Sequence, residues 1–598
     1  MNSSSAIPIE TEHHPDMKQR LSIPYRLAFI ALTLSGIMLA MRQAWVADDA
    51  FISFRYVLQW LRGNGLVFNP GEHVEGYTNF LWVVLLAPWE LAHIDLRLAA
   101  AIMSILAFGI LSMVMFLVGG RIFRIDADRT TTDGHAGQSD LGRLYMYWPL
   151  CVPVLALHHH MTIFATSGLE TMLFTLLITA GALLFVMRLF AHKQWIMYLA
   201  FVLLALSALT RPEGYLFYAL SLGYVAMDWL GMRRVPELER SHVFKLASLL
   251  LCAALPLLLI CGPHILFRIW YYGDWVPNTF YAKSAYDSYW SQGLRYTLLY
   301  LQSYWLIPVL IVLLAALRFI ARRRNPDGNQ SVGTPQKAVR YLWLLILCYC
   351  AYVIRVGGDF MFARFWIPIT PILFFALEWD FRRVWRQITI NASDETGVEV
   401  PTDQPTAIMT SQAPDSRNAI AIPNRWGGLV GLVLLSAAVS VLRFDPYQGL
   451  PLPEKWGISE EYRIYTPERV SELRQLALDL KPTFKAAGPI LAFVGAQAGL
   501  IYYLDPPVAI EAETGLTDRN IARRTLEQRG RVGHEKQASY AYLKARGVHI
   551  LLRAPPADRA ATARTVRIQG LPGDLEIIQF DARVFDILQN DPRIDIDL

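Results

Sequence analysis

RLAFIALTLSGIMLAMRQAWVADDAFISFRY, residues 26–56, carries two opposed instructions in one stretch. Its first half is an apolar run long enough to cross a bilayer as one helix. Its second half opens on two adjacent carboxylates, Asp48 and Asp49, beside that run, where charge is expensive. Beyond them Phe51, Ile52, Phe54, Val57, Leu58 and Leu61 recur at helical spacing, and Gly63 and Gly65 end the pattern. The stretch therefore reads as an uncleaved anchor followed by an amphipathic helix lying just outside the membrane, with the acidic pair at its N-terminus. Helix capping accounts for one Asp, because an Asp side chain accepts from free backbone amides and complements the dipole. It does not account for the second, which the first repels. A general base beside a metal-holding or orienting carboxylate accounts for both, and spacing leaves the two readings open.

Working outward, runs of the same kind recur near 79–93, 97–120, 145–165, 170–188, 195–210, 214–230, 245–266, 296–320, 341–355, 365–381 and 426–443. The chain of 598 residues is 54% hydrophobic and only 18% charged, with mean hydropathy +0.30. A soluble protein of this length carries more charge, so the fold class is a polytopic α-helical membrane protein. The five cysteines, Cys151, Cys252, Cys261, Cys348 and Cys350, all fall in or beside apolar runs, without metal-ligand spacing. The net charge of +5 is modest and its cations cluster in short loops, which suits membrane orientation and not nucleic acid.

Those loops, 233–245, 321–325 and 381–386, read as cytoplasmic by the positive-inside rule. The N-terminal tail 1–24 then lies inside, and 46–78, 267–295, 355–364 and everything after 443 lie outside. That orientation needs an odd number of crossings. Removing 79–93, which is short and holds Pro88 and Glu90, leaves eleven, and one unseen crossing makes thirteen. Residues 25–443 form the membrane domain, with 387–425 a cytoplasmic linker. Residues 444–598 read as a soluble α/β domain with a parallel sheet: strands at 489–495, 507–513 and 548–554, helices at 496–504, 519–529 and 536–547.

Polar residues gather in the outward loops. GEHVEGYTN (71–79) supplies Glu75 and Tyr77, and TSGLET (166–171) supplies Glu170. HHH (158–160), without partner spacing, reads as an interfacial anchor. In TRPEG (210–214), Thr210 reads as a cap and Pro212 as a first-turn residue, whereas Arg211 and Glu213 at membrane depth read as functional. YYGDWVPNTFYAKS (271–284) holds Asp274 and Lys283 among aromatics that suit either an interfacial belt or sugar stacking. RVGGDFMFARFWIP (355–368) adds Asp359 and Arg364 behind two glycines that allow close backbone approach. GAQAG (495–499) lacks the spacing of a nucleotide-binding loop and reads as a close-packed βα turn.

These residues have a family look. An acidic pair opening the first external loop behind one anchor resembles the GT-C superfamily of membrane glycosyltransferases. DDAFISFRY (48–56), GLVFNPGEHVEGYTNFLW (65–82), ATSGLE (165–170), TRPEG, GDWVPNTFYAK (273–283) and GGDFMFARFWIP (357–368) together resemble the bacterial arabinofuranosyltransferases of that superfamily. AGLIYYLDPPVAIEAETGLTDRNIA (498–522) and GHEK (533–536) resemble that family's periplasmic domain.

The resemblance implies a GT-C-like fold in a bacterial inner membrane, with the active site and C-terminal domain facing the periplasm. It implies transfer of D-arabinofuranose from a polyprenyl-phosphate donor to a glycan or pilin-like protein acceptor. Asp48 and Asp49 match the catalytic acidic pair by position, and Arg211 or Arg364 is a candidate for the donor phosphate. Arg55, Glu75, Tyr77, Glu170, Glu213, Asp274, Lys283 and Asp359 are candidate substrate contacts. A divalent metal near Asp48 and Asp49 is left open, as is inversion or retention at the anomeric carbon. The alternatives are a lipid-linked sugar flippase, which would show repeat symmetry and mid-membrane charge, and a cell-envelope assembly factor.

Overall fold

A computed structural model describes residues 16–131, 148–191, 193–232, 248, 250–324, 333–395, 442–526, 528–555, 559 and 562–597. Among them, four helices are long and apolar enough to cross a membrane: Leu96–Asp128, Thr171–Ala191, Leu250–Tyr272 and Thr334–Val356. Trp290–Ser303 and Leu306–Arg323, bent by 86° at their junction, make a fifth if counted as one span. The expected eleven to thirteen crossings are not reached among the described residues. The 145–165 run breaks at Leu157–His158 into Cys151–Ala156 and His159–Phe164, each about 9 Å long. Phe80–Leu91 spans about 18 Å and Gln194–Thr210 about 26 Å, both short of a bilayer core. The linker at 387–425 and the apolar run at 426–443 fall mostly outside the described residues.

The helix Asp48–Gln59 departs from its expected place. It does not lie on a surface, because Ala50–Val57 and Gln59 are all buried. One side packs on Phe80–Leu91, and the other packs on Ala498–Leu504 of the C-terminal domain. Phe51 meets Tyr502 and Tyr503 at ring separations of 5.6 and 5.5 Å. The apolar periodicity was that of a helix covered on both sides. Capping also differs: Ala47 holds the N-cap position, and Asp48 and Asp49 stand in the first turn.

Past residue 450 the chain folds around a six-stranded sheet. Its strands run in the order Val508–Glu511, Ile490–Phe493, Ile550–Leu552, Asp574–Ile577, Thr565–Ile568, Ile594–Asp597. The first three are parallel, as the sequence pattern implies, and the remaining pairings are antiparallel, which corrects a wholly parallel sheet. The three further strands are four-residue runs such as DLEI and IDID, whose charges hide their pattern. The helix expected over 519–529 shrinks to Arg519–Ala522, and that over 536–547 to Tyr540–Ala545. The longest helix of the domain, Pro467–Ala487, is capped by Thr466 and closed by Gly488 in the left-handed region.

The His158–His160 run is an internal joint and not an interfacial anchor. His158 stacks on Tyr304, and its ring accepts from the Met161 amide. His160 bridges Tyr304 (2.5 Å) and Glu460 of the C-terminal domain (3.2 Å).

Candidate active site

Five separate stretches of the membrane domain converge on one buried ion network. The TSGLE turn starts it: Gly168, with φ +77°, lies so close to Val46 and Ala50 that a Cβ there would stand 3.0 Å from Ala50 Cβ. Ala47 N donates to Ser167 O (2.9 Å), locking this turn to the start of the Asp48 helix. Glu170 is thereby held beneath the acidic pair. Its Oε2 accepts from Asn79 Nδ2 (3.0 Å), and its Oε1 lies 3.4 Å from Arg364 Nη2 and 3.6 Å from Arg211 Nη1. Arg211 also pairs with Glu213 at 3.2 Å. Arg364 Nη1 reaches Asp359 (3.4 Å) and Asp49 (3.6 Å). Ala363, just before Arg364, sits at φ +64°, a conformation that a non-glycine residue adopts only when its surroundings force it.

Within this network Asp49 is the exposed member. Its side chain is 30% accessible, against 9% for Arg364, 4% for Glu170 and 2% for Asp359. It makes no hydrogen bond among the described residues. Arg364 Nε and Arg211 Nη1 are buried donors without a hydrogen-bond acceptor among the described residues.

Asp48 does different work. Its two oxygens accept from the Ala498 and Gly499 amides, each at 2.9 Å. These are the first amides of the Ala498–Leu504 helix, where a negative charge complements the dipole. The GAQAG turn, a βα turn as expected, thus has its anion-binding end filled by the chain's own carboxylate. Burial nonetheless pushes the Asp48 carboxyl up to about 7; the two amides pull it down and Asp49 adds to the rise.

The C-terminal domain roofs the pair. Glu461, from its short 3-10 turn, is buried, and its carboxylate makes no hydrogen bond or ion pair among the described residues. Burial raises its carboxyl well above the usual range, and the charges of Asp49 and Asp48 add to the effect. The His534 ring packs against Phe360 at 4.6 Å. Burial and then Arg531 push it down to about 4, against the pull of Asp49. Lys283 runs alongside Gly533, its Cε 3.8 Å from where a Cβ would stand, and has no partner among the described residues.

Glu170, Arg211, Glu213 and Asp359 therefore share one network that reaches Asp49 through Arg364, with Lys283 at the roof. The other expected contacts do not join them. Arg55 is buried at the domain seam, donating to Phe68 O and Pro506 O (both 2.9 Å). Glu75 is gripped by Arg268 at 2.5 and 3.0 Å, and Tyr77 bonds the Tyr272 hydroxyl at 3.1 Å. Asp274 pairs with Arg523 at 2.6 Å across the seam. Thr210 ends one helix by bonding Leu206 O and does not begin the next. The Gly357–Gly358 pair admits an aromatic ring and not a ligand, since a Cβ on Gly358 would stand 2.3 Å from Tyr296 Cγ. Glu461 and His534 carried no spacing signal, because only the fold brings them over the pair.

A divalent cation fits this arrangement poorly. Asp48 is committed to two amides and Asp49 faces a guanidinium. No group of three or more His, Cys, Asp or Glu side chains is placed to hold an ion among the described residues.

The fold and site define a multi-pass membrane protein with a buried ion network roofed by a C-terminal α/β domain. The chain is 30% identical over 372 residues to the terminal β-(1→2)-arabinofuranosyltransferase of Corynebacterium glutamicum, an alignment of 58% of this chain and 50% of that protein. It is 31% identical over 352 residues to the protein of the same name from Mycobacterium tuberculosis, covering 54% and 50%. The chain thus matches about half the length of these curated relatives. A solved structure of ArnT from Cupriavidus metallidurans bound to undecaprenyl phosphate aligns over 83% of this chain and 87% of that one, at 13% identity and a TM-score of 0.47. No family model matches.

Proposed function

We propose that the protein is a membrane glycosyltransferase. It moves a pentofuranose, arabinofuranose by analogy with its relatives, from a polyprenyl-phosphate donor to a glycan or protein acceptor on the periplasmic side of a bacterial inner membrane. The observation that carries the reading is Asp49. It is the accessible carboxylate of an otherwise buried network, supported by Arg364 and set beneath the C-terminal domain. The similarity to two arabinofuranosyltransferases supports the sugar class.

In this mechanism Asp49 accepts the proton of the acceptor hydroxyl as that oxygen bonds to C1 of the sugar. The C1–O bond to phosphate breaks, and its electron pair leaves with the lipid phosphate. Arg364 and Arg211 are poor candidates for that phosphate, because carboxylates at 3.2–3.6 Å already balance them. Their role is to hold Asp49 and Glu170, while the unfilled donors Arg364 Nε and Arg211 Nη1 suit sugar hydroxyls. Lys283, unpaired among the described residues, receives the leaving phosphate.

The test is transfer of label from a synthetic radiolabelled polyprenyl-phosphate arabinose in membranes containing the protein. Label is expected in a glycan or protein fraction, with the donor KM raised in Lys283→Ala. Absence of label from every such fraction, with the donor intact, would reject the reading.

A further inference from the structure

A second opening lies in the crevice between the first external loop, the end of the Gly262–Tyr272 helix and the C-terminal domain. Its volume is about 530 Å³, in the range of small-ligand sites. It shares no lining residue with the Asp49 network.

Its walls differ in kind. One is aromatic: Trp270 is 79% exposed, Tyr271 adjoins it at a ring separation of 6.0 Å, and His73 packs on Tyr271 at 4.4 Å. The rest of the lining is polar and comes mainly from the C-terminal domain, through Asp518, Arg519, Asn520 and Arg546, with Glu72 from the first external loop. These groups hold one another in place. Arg546 pairs with both Glu72 and Asp518, and Arg519 donates to the carbonyls of His73 and Tyr272.

The charge balance selects the ligand class. Two carboxylates face two guanidiniums, so the wall has no uncompensated cation of the kind that recognises phosphate or an anionic headgroup. An aromatic face beside fixed, charge-neutral polar groups suits a sugar chain, whose C–H face stacks while its hydroxyls hydrogen-bond. A Trp at a helix end is by itself an ordinary bilayer anchor. A bilayer anchor needs no polar wall supplied by a soluble domain, and this one has it.

The geometry points to a saccharide-binding subsite in this crevice, centred on Trp270 and Asn520, that holds a neutral stretch of the acceptor glycan away from its reacting hydroxyl. This rests on the glycosyl-transfer reading. The test uses the full chain in lipid nanodiscs and calorimetric titration with a neutral synthetic arabinofuranose oligosaccharide. Trp270→Ala should weaken binding about tenfold, as expected for loss of a stacked ring, and Trp270→Phe should restore most of it. Asn520→Ala should weaken binding by less. With long acceptors Trp270→Ala should raise KM while leaving kcat unchanged. Undiminished binding by Trp270→Ala, or displacement of the oligosaccharide by inorganic phosphate, overturns the assignment. Binding without transfer by the unaltered protein rejects the transferase reading and supports the subsite; transfer with an unaffected Trp270→Ala variant does the reverse.

Discussion

The ion network under Asp49 and the seam that joins the two domains draw on the same residue types, yet they are built in opposite ways. At the seam, beside cross-domain ion pairs such as Asp274–Arg523, several charged and polar side chains end on backbone. Asp48 takes two amides, Arg55 two carbonyls, and Asn69 exchanges two bonds of 2.9 Å with Ala509 in the manner of a strand partner. Such contacts spend these side chains on main-chain groups, although Arg55 Nη1 has no hydrogen-bond partner among the described residues. In the network, carboxylates and guanidiniums meet chiefly each other, at 3.2–3.6 Å, with Asn79 on Glu170, donors left over and one carboxylate exposed. Neighbouring residues of one helix thus belong to different machines: Asp48 ties the roof on, and Asp49 faces what lies beneath it.

The sharpest break of this comparison is the pair of neutral variants. Asp49→Asn should lower transfer by about 10²–10⁴-fold, the usual worth of a general base, with little change in thermal midpoint. Asp48→Asn should retain most of the transfer activity and alter stability instead. Transfer rates and melting curves for both variants, measured side by side in one membrane preparation, decide it; the reverse pattern would exchange the two roles.

Next in size is Arg364→Gln, which strips Asp49, Glu170 and Asp359 of their shared counter-charge. Breaking a buried ion pair from one side costs about 3–5 kcal/mol, so folded yield and melting temperature should fall along with activity. Arg364→Lys should recover stability in part. An Arg364→Gln variant as stable as the parent protein would mean that the network is not held by charge.

The smallest effect concerns pH. Asp48 titrates at about 7 in the folded protein, against 3.8 ordinarily, so the folded state is the tighter proton binder between those values. The stabilisation from this group is fully present below about pH 4 and is lost as pH rises through about 7. The melting temperature of the parent protein should therefore decline relative to that of Asp48→Asn between pH 4 and 8. A flat difference would show that the helix amides outweigh burial.

Much of this was legible in the chain. Apolar runs announced the membrane domain, and the acidic pair, TSGLE, TRPEG and GGDFMFAR named most members of the network. Helical spacing located the Asp48 helix, and three parallel strands stood out as short apolar runs. What stayed hidden was pairing. Arg55, Glu75 and Asp274 look as reactive as Arg364 in a list, and only their partners take them out of the site, Arg55 and Asp274 at the seam and Glu75 on Arg268. Glu461 and His534 are ordinary residues until the C-terminal domain sets them over the pair.

Hydrophobic periodicity and turn chemistry are local properties, so the membrane class, strands and helices alternating near the C-terminus and the acidic pair at the start of a helix could be read from the chain alone. Burial and partner choice are sums over atoms hundreds of residues apart. Only the tertiary structure could therefore place the Ala498 and Gly499 amides on Asp48, leave Asp49 open, and so assign the two carboxylates different work.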